Sequence, residues 1–422
     1  MALVFPGFML MQMMSAGAMG VGIASAIARA IGAGRRAEAG SLAIHALAIN
    51  AFLGLLFTLA GPLAGPALYR AMGSQSPALA AAAQYSNVVF GGAILAWLFN
   101  ALASCIRGTG NTLTPGLVIC GGVVLLIPLS PCLIFGLGPI PAMGVAGGGV
   151  AMLLYYVAGT LAMFLYLQGR RSLLHLRRVP LRLAPLWNIL RVGLVASLVT
   201  IQTNLVVTLT TAFVGTFGAA TVSATFGAAP ISATFGAATV SGTHGAAAIA
   251  GYNTGSRLEY LLVPLVFGLG APLVAIVGAN LGAGQAARAV RAAWTGAILA
   301  FLLTETIGLA IATFPEAWLR LFDSHPAMLA TGSAYLRAVG PFYGFFGFGM
   351  ALYFASQGAG RMGWPLAAPV ARMLVAVPGG WLDLRLTSSL HALFLALGAG
   401  RFRLGLGNAL ANAAGTWSRP GT

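Results

Sequence analysis

Residues 260–281, YLLVPLVFGLGAPLVAIVGANL, form a run of 22 residues without a charged side chain. As an α-helix the run would be about 33 Å long, which is enough to cross the hydrocarbon core of a bilayer. Its glycines and prolines would weaken a helix in water. In a bundle of membrane helices they permit close backbone contact, and neighbouring helices satisfy the freed peptide groups. The run therefore predicts a membrane span packed tightly against other helices.

The loop after this run recurs 250 residues earlier in the chain. Residues 282–284 and residues 32–34 both read Gly-Ala-Gly, and arginines follow each of them. The same offset joins several other short motifs: residues 70–74 with 320–324, Tyr85 with Tyr335, residues 108–110 with 358–360, and Pro115 with Pro365. One match alone is weak in a chain rich in Gly and Ala, but several at one offset predict an internally duplicated membrane protein.

The overall composition agrees with a polytopic membrane protein. Hydrophobic residues make up 59% of the chain, charged residues make up 7%, and the mean hydropathy is +0.91. A soluble domain has about a quarter charged residues. The net charge of +16 comes from arginines between apolar runs, so topology explains it and we expect no nucleic-acid partner. No set of His, Cys, Asp or Ser has the spacing of a metal or catalytic site, so we expect neither a metal nor an enzyme.

The apolar runs predict an all-α protein with about eleven membrane spans in two repeated bundles. The predicted spans are 4–31, 42–60, 79–105, 114–137, 144–168, 188–214, 260–281, 292–313, 334–356, 364–384 and 389–410. Residues 1–168 then form an N-terminal bundle of five spans, and residues 188–410 form a C-terminal bundle of six. A basic linker, 169–187, joins the bundles, and residues 411–422 form a tail.

The arginines predict the orientation of the spans. When the loops are assigned alternately to the two faces of the membrane, most arginines fall on one face, including five in the linker. Cytoplasmic loops are enriched in Lys and Arg. The linker and the tail are therefore predicted to be cytoplasmic, in a multi-pass protein of the bacterial inner (plasma) membrane.

Span six, 188–214, has no partner in the first repeat, because span one matches span seven and spans two to five match spans eight to eleven. The economical interpretation is a twelve-helix parent architecture whose first helix would precede Met1, and the alternative is a genuine eleven-span protein. After span six, residues 216–251 contain four tandem nonamers, TFGAATVSA, TFGAAPISA, TFGAATVSG and THGAAAIAG. We interpret them as a slipped duplication that forms an outer loop.

Several long motifs occur in an order that resembles one transporter family. They are YSNVVFGGAILAWLFNALASCIRGTGNTLTP, GLGPIPAMGVAG, AGYNTGSRLEYLLVPLVFGLG, VGANLGAGQAARA and YFASQGAGR. Up to about Ala396 the chain resembles the bacterial branch of the MATE family (multidrug and toxic compound extrusion). The resemblance implies a twelve-helix secondary transporter that exports drug-like organic cations in exchange for Na⁺ or H⁺ by alternating access. We expect no cofactor apart from this coupling ion.

The chain departs from the family pattern in three ways. The first family helix, which in many members carries an acidic residue used for ion coupling, has no counterpart; the nonamers are extra; and the last span contains Arg401 and Arg403. An inactive transporter fragment is therefore one alternative. Another is a flippase for lipid-linked precursors, which would need several basic residues in its cavity, where Arg372 is the one candidate. Membrane lipid and small organic cations are the expected partners, and a monomer is the expected state.

Glu305 is the one carboxylate predicted deep inside a span, and an intramembrane acid usually faces a cavity or a partner. We interpret Glu305 as a candidate for handling the coupling ion or the cationic substrate. The alternative is a structural acid that is paired within the bundle or kept protonated. Arg372 is one candidate partner, but we expect its long side chain to extend to the cytoplasmic face instead. Glu259 is predicted at the outer end of span seven, beside Arg257, where an interfacial salt bridge is expected.

Span six carries a polar stripe whose members recur at spacings of three or four residues and so share one helical face. The stripe consists of Ser197, Thr200, Asn204, Thr208 and Thr211. It predicts either one wall of a substrate cavity or hydrogen bonding between helices. Span nine is rich in aromatic residues, Tyr343 among them, which suit either a site for flat cations or ordinary packing.

The orientation can be tested with single cysteines in a chain whose native cysteines have been replaced. A cysteine at Leu181, in the linker, should resist a membrane-impermeant maleimide in intact cells and react after lysis. A cysteine at Ala228, in the nonamer region, should react in intact cells. Labelling of position 181 but not of position 228 in intact cells would establish the opposite orientation.

Overall fold

A computed structural model describes residues 5–71, 77–136, 141–170, 172–174, 176, 179–215, 245–363, 366–367, 370, 373 and 390–413. Every regular element within these residues is helical, which confirms the all-α expectation. A peptide group in lipid finds no water to bond, and a helix satisfies its peptide groups within one segment. In chain order the α-helices are α1 (Phe5–Gln12), α2 (Gly20–Gly32), α3 (Arg36–Ala71), α4 (Pro77–Gly91), α5 (Ala93–Gly108), α6 (Leu113–Phe135), α7 (Val145–Gln168), α8 (Leu183–Gly215), α9 (Gly245–Gly282), α10 (Ala286–Thr313), α11 (Pro315–Leu319), α12 (Pro326–Val339), α13 (Tyr343–Ala359) and α14 (Leu390–Ala413).

Eight stretches of the described chain are long and apolar enough to cross a membrane, and two helices bent by 45° form a ninth. The nine are Gly7–Gly32, Arg36–Leu63, Ala83–Gly91 with Ala93–Gly108, Leu113–Phe135, Val145–Gln168, Leu183–Gln202, Ala250–Gly282, Ala286–Thr313 and Pro326–Ala359. Each of them overlaps one of the first nine predicted spans. Helix α14 covers the last prediction, 389–410, whereas most of the tenth, 364–384, lies outside the described residues.

The nonamer region is described only at its end. Residues 216–244 lie outside the described residues, and the last part of the region, from Gly245, forms the first turns of α9. The apolar stretch Ala250–Gly282 therefore begins earlier than the predicted span 260–281 and includes Glu259. The prediction that Glu259 lies at the outer end of its membrane span stays a prediction.

The chain divides into two compact units. The first comprises Met1–Ser197 and Val274–Gly284, and the second comprises Leu198–Leu273 and Gln285–Thr422. The first unit thus includes the C-terminal end of α9. The predicted bundle boundaries at residues 168 and 188 stay a prediction.

Part of the basic linker packs onto the first unit. Leu174 is fully buried in the core of this unit. The backbone N–H of Arg182 donates to Nε2 of His45 at 2.9 Å, and Nδ1 of His45 lies 2.7 Å from the carbonyl oxygen of Ser41. Because Nε2 accepts a hydrogen bond, the proton of the neutral ring lies on Nδ1. The imidazole therefore links the end of the linker to α3.

The duplication is visible in the backbone of two pairs of turns. Gly34 and Gly284, which follow α2 and α9, both have a φ of 74°. Gly110 and Gly360, which follow α5 and α13, have φ values of 89° and 71°. These angles lie in the left-handed region, which glycine adopts without the steric penalty of a side chain. Each pair is separated by the 250-residue offset seen in the sequence, so the repeat extends to the detailed geometry of the helix ends.

The ends of α2 and α9 make a reciprocal contact in the first unit. A Cβ atom on Gly32 would lie 1.9 Å from the carbonyl oxygen of Ala279, and a Cβ atom on Gly282 would lie 2.1 Å from the carbonyl oxygen of Arg29. The offset of 250 residues relates Gly32 to Gly282 and Arg29 to Ala279. The contact therefore has the twofold pattern of a repeat that packs on its own copy. A backbone carbonyl cannot rotate away, so both positions need glycine.

Two helix breaks are related by the same offset. Helix α5 begins at Ala93, after the bend at Gly92, and α13 begins at Tyr343, after a 3₁₀ turn at Gly340–Phe342. The first break lies between α4 and α5, and the second lies between α12 and α13. Both breaks lie inside apolar stretches, where the freed peptide groups need partners from neighbouring helices.

The reciprocal glycine contact predicts that Gly282→Ala destabilises the packing of α2 on α9. The added methyl group would meet the carbonyl of Arg29, and overpacking of this kind costs about 1–3 kcal/mol. Gly268→Ala in the same helix is the matched control, because a Cβ atom there has nothing within 4 Å. The control should be neutral or stabilising by about 0.5–1 kcal/mol. Thermal unfolding of the purified proteins in detergent compares the two, and equal melting temperatures would contradict the contact.

Candidate functional site

The two helix breaks are capped by side chains from repeat-related helices. At the first break the backbone N–H of Ile94 donates to Oγ1 of Thr58 in α3, at 3.3 Å. At the second, the backbone N–H of Gly344 donates to Oε2 of Glu305 in α10, at 2.6 Å. Ile94 and Gly344 are each the second residue of the helix after the break. The backbone N–H at the start of the second helix thus donates to a neutral hydroxyl in one repeat and to a carboxylate in the other.

Glu305 is held close to the start of α13. A Cβ atom on Gly344 would lie 2.5 Å from its carboxylate, so glycine lets the acid reach the helix end. The N-terminus of a helix carries a partial positive charge that favours an anionic side chain. Glu305 is half-buried. Its candidate partner Arg372 lies outside the described residues. In the described part of the chain, the backbone N–H of Gly344 donates to the Glu305 carboxylate.

Glu259 forms an ion pair that the sequence did not predict. Nη2 of Arg401 donates to Oε1 of Glu259, and Nη1 of Arg401 donates to the carbonyl oxygen of Leu397 at 3.0 Å. Their side chains are 8% exposed for Arg401 and 30% exposed for Glu259. The guanidinium of Arg257, the partner expected from the sequence, lies over the ring of Phe322 at 5.0 Å. A salt bridge at Glu259 is thus present within the second unit, with Arg401 as a partner that the sequence did not indicate.

The aromatic residues of span nine divide into two groups. Tyr335 and Tyr343 are fully buried, and the ring of Tyr343 lies beside the guanidinium of Arg401. Phe345 and Phe348 are half-buried and line an apolar groove with Phe301. Both tyrosines lie next to charged groups: the hydroxyl of Tyr335 donates to Glu259, and Tyr343, a predicted site residue, lies beside Arg401.

The polar stripe of α8 is described in part. Ser197 is buried, and its hydroxyl donates to the carbonyl oxygen of Gly193 at 2.9 Å, within the same helix. Thr200 is half-buried. The side chains of the other three members lie outside the described residues: Asn204, Thr208 and Thr211. The choice between a cavity wall and contacts between helices stays a prediction.

The first unit contains a polar network that sequence reasoning missed. Nε2 of Gln12 donates to the hydroxyl of Tyr156 at 2.8 Å, and Nδ2 of Asn100 lies within hydrogen-bond distance of Gln12 Oε1 (3.1 Å) and Ser15 Oγ (2.8 Å). Ser15 lies in a π-helical segment, Met13–Met19, and such segments often occur at functional sites. The amide side chains of Gln12 and Asn100, which lie within predicted apolar spans, were the feature of the sequence that could have indicated this network.

The described residues contain no group of three or more His, Cys, Asp or Glu side chains that could hold a metal ion. The carboxylates of Glu259 and Glu305 belong to different helices, α9 and α10, and each has its own partner. The described residues thus offer carboxylates and aromatic rings, which can interact with a cation, and the guanidinium of Arg401, which is itself a cation.

Comparisons with known proteins agree on one family. The MatE family model matches residues 1–132 and 234–382, more than half of the chain. The chain is 26% identical over 399 residues to a probable multidrug resistance protein NorM of Thermotoga maritima, and the match covers 90% of this chain and 80% of the relative. It is 23% identical over 345 residues to an FAD transporter of Shewanella oneidensis, with coverage of 81% and 70%.

The fold is similar to that of solved transporters. One is the outward-facing conformation of a multidrug resistance MATE family transporter of the MOP superfamily, with a TM-score of 0.85. The sequence identity is 24%, and the match covers 99% of this chain and 88% of that chain. At this identity the likeness establishes the fold.

The cap on α13 predicts different effects for two substitutions of Glu305. Glu305→Gln keeps an oxygen that can accept from Gly344, so the melting temperature should stay close to that of the unmodified chain. Glu305→Leu leaves the Gly344 N–H without its partner, which costs about 1–3 kcal/mol when the group is buried.

The matched control for both substitutions is Thr306→Val, because the Thr306 hydroxyl is exposed and donates within its own helix. The free energy of unfolding in detergent and denaturant distinguishes the variants. If Glu305→Leu were as stable as Glu305→Gln, the cap would have no structural importance.

Proposed function

This chain belongs to the MatE family of membrane transporters, and we propose that it exports drug-like organic cations in exchange for Na⁺ or H⁺ by alternating access. The observation that carries this function is the family match, which falls in both repeats. A relative that matches 90% of the chain is a probable multidrug resistance protein. Membership makes the chain a transporter rather than an enzyme, and it does not favour the flippase alternative.

The chain is a multi-pass membrane protein of the bacterial plasma membrane, with small molecules as substrates. Transporters of this family need no cofactor. The coupling ion is proposed to be Na⁺ or H⁺, with lipid as the surrounding partner and a monomer as the working state. The two bundles, 1–168 and 188–410, are proposed to be the bodies that rock about the substrate cavity.

Alternating access requires a contact between repeat-related helices that opens and closes. We place one such contact at the reciprocal glycine packing of α2 and α9. Gly32 and Gly282 allow the two helix ends to approach without interlocking side chains, so the contact can separate and form again without a change of rotamers. The helix ends concerned are those predicted on the cytoplasmic face.

Glu305 is proposed to carry the coupling ion. The repeat-related cap on Ile94 is made by the hydroxyl of Thr58, so a helix break in this fold does not need a charged cap. A carboxylate at the second break can also bind a proton or a cation, which capping the helix does not require. Loading of Glu305 with one cation would exclude another, and this exclusion is the basis of antiport.

The substrate cavity is proposed to involve the polar stripe of α8 and the aromatic residue Tyr343. The stripe, Ser197, Thr200, Asn204, Thr208 and Thr211, offers hydroxyl and amide groups along one helical face. Tyr343 adds an aromatic face and a hydroxyl for flat cations. Supporting this placement, Tyr343 is the first residue of α13, next to the Gly344 that contacts Glu305.

The function predicts gradient-dependent efflux that depends on Glu305. Ethidium efflux is measured in inverted or right-side-out vesicles with an imposed Na⁺ or H⁺ gradient. Glu305→Gln should lower the rate by about tenfold or more, because the amide keeps the cap but cannot take up a proton or pair with a cation. Thr306→Val should transport like the unmodified chain.

Two results would count against this reading. Efflux by Glu305→Gln with an unchanged rate and ion dependence would confine Glu305 to its structural role. A correctly inserted, folded chain without gradient-dependent efflux of any organic cation would remove the proposed function.

A further inference from the structure

The second unit contains a partly buried ion pair between two of its helices. Glu259 lies within the apolar stretch Ala250–Gly282, and Arg401 lies near the middle of α14. A single charge buried among apolar side chains is costly, whereas a pair with further hydrogen bonds is tolerated. Further bonds are present, because Arg401 also donates to Leu397 and Glu259 also accepts from the hydroxyl of Tyr335.

Aromatic rings surround this pair. The ring of Tyr335 packs edge-on against Tyr252 and against Phe394, with centroid distances of 5.2 Å in both cases. Tyr252 and Phe394 are stacked, with centroids 6.2 Å apart and an interplanar angle of 8°. Cζ of Arg401 lies 5.6 Å from the centroid of the Tyr343 ring. We call these four residues the aromatic box: Tyr252, Tyr335, Tyr343 and Phe394.

A carboxylate beside aromatic faces is the chemistry that recognises delocalised and quaternary cations. A guanidinium is such a cation, since it is planar, weakly hydrated and stacks on aromatic rings. We propose that the aromatic box and Glu259 form a binding subsite for small organic cations, and that the guanidinium of Arg401 occupies this subsite when no ligand is bound. The proposal rests on the proposed function, and it names a place where the cationic substrate binds.

Charge balance makes the two occupants exclusive. Glu259 can neutralise one cation, so an organic cation and Arg401 together would leave a positive charge uncompensated in a poorly hydrated site. The ligand therefore has to displace the guanidinium from Glu259. When the ligand leaves, Arg401 returns and the carboxylate is never left alone. Arg401 thus acts as a competitor that is built into the chain.

The experiment measures binding of methylguanidinium and tetramethylammonium to the purified full chain in detergent, by calorimetry and by the shift of the melting temperature. Arg401→Ala removes the competitor, so both cations should bind at least about tenfold more tightly than to the unmodified chain. They should also raise the lowered melting temperature of Arg401→Ala. In the double variant Arg401→Ala with Glu259→Gln the gain should be lost.

Arg403→Ala is the matched control, because Arg403 is an exposed arginine on the same helix. It should leave the affinity for both cations as in the unmodified chain. Arg401→Ala that is folded, as judged by size exclusion and circular dichroism, but binds no better than the unmodified chain would overturn the proposal. An equal increase in cation affinity in Arg403→Ala would also overturn it. So would an increase in affinity that remains in the double variant with Glu259→Gln.

If Arg401→Ala is not recovered in folded form, the same binding measurements on Arg401→Lys test the proposal. A lysine keeps the charge but is a compact, strongly hydrated cation that fits an aromatic box less well. The cations should then bind more tightly than to the unmodified chain, and an unchanged affinity would reject the subsite.

The binding measurements separate this proposal from the proposed function. Efflux by the unmodified chain together with no gain in Arg401→Ala would reject the subsite and keep the transporter. A clear gain in Arg401→Ala without efflux by the unmodified chain would keep the subsite and reject transport.

Discussion

Lipid offers no hydrogen-bond partner to a peptide group, and the described fold depends on this constraint. Most of the apolar stretches are unbroken helices for this reason. Where α4 meets α5 and where α12 meets α13, the helix is interrupted and one freed N–H reaches a side chain of a neighbouring helix. The neighbour is α3 in one repeat and α10 in the other. The breaks are therefore part of the packing, and a residue such as Glu305 is fixed in place by the backbone that it caps.

The sequence predicted the parts of the fold that depend on local composition and on the repeat. Apolar runs gave nine spans that the structure confirms, and the 250-residue offset predicted turns whose glycines, Gly34 and Gly284, have the same φ. The start of α9 was not predicted. The small, weakly apolar residues before Tyr260 gave no signal of a helix, and the three-dimensional fold shows that α9 begins at Gly245.

The candidate site could be predicted less well, because its contacts join distant parts of the chain. Arg401 and Glu259 are 142 residues apart, and no periodicity relates them. In the sequence Arg401 interrupts an apolar helix, and in the structure it has a carboxylate and a tyrosine ring beside it. Glu305 was recognised as an isolated acid, but its role as a cap depends on the break at Gly340–Phe342, which the composition of span nine does not reveal.

The two repeats share a scaffold and differ in chemistry. Glycines are matched where helices touch, as at Gly32 and Gly282. At the same offset, the counterparts of Glu259, Tyr343 and Arg401 are apolar: Met9, Ala93 and Ala151.

The first unit carries a neutral network of amide and hydroxyl groups around Gln12 and Asn100 instead. Backbone packing tolerates little change, because a carbonyl that faces glycine leaves no room for a side chain. Side chains inside each unit are not bound by this restriction. A duplicated bundle can therefore keep its matched glycine contacts while one repeat acquires an ion pair, Glu259 with Arg401, that has no counterpart in the other.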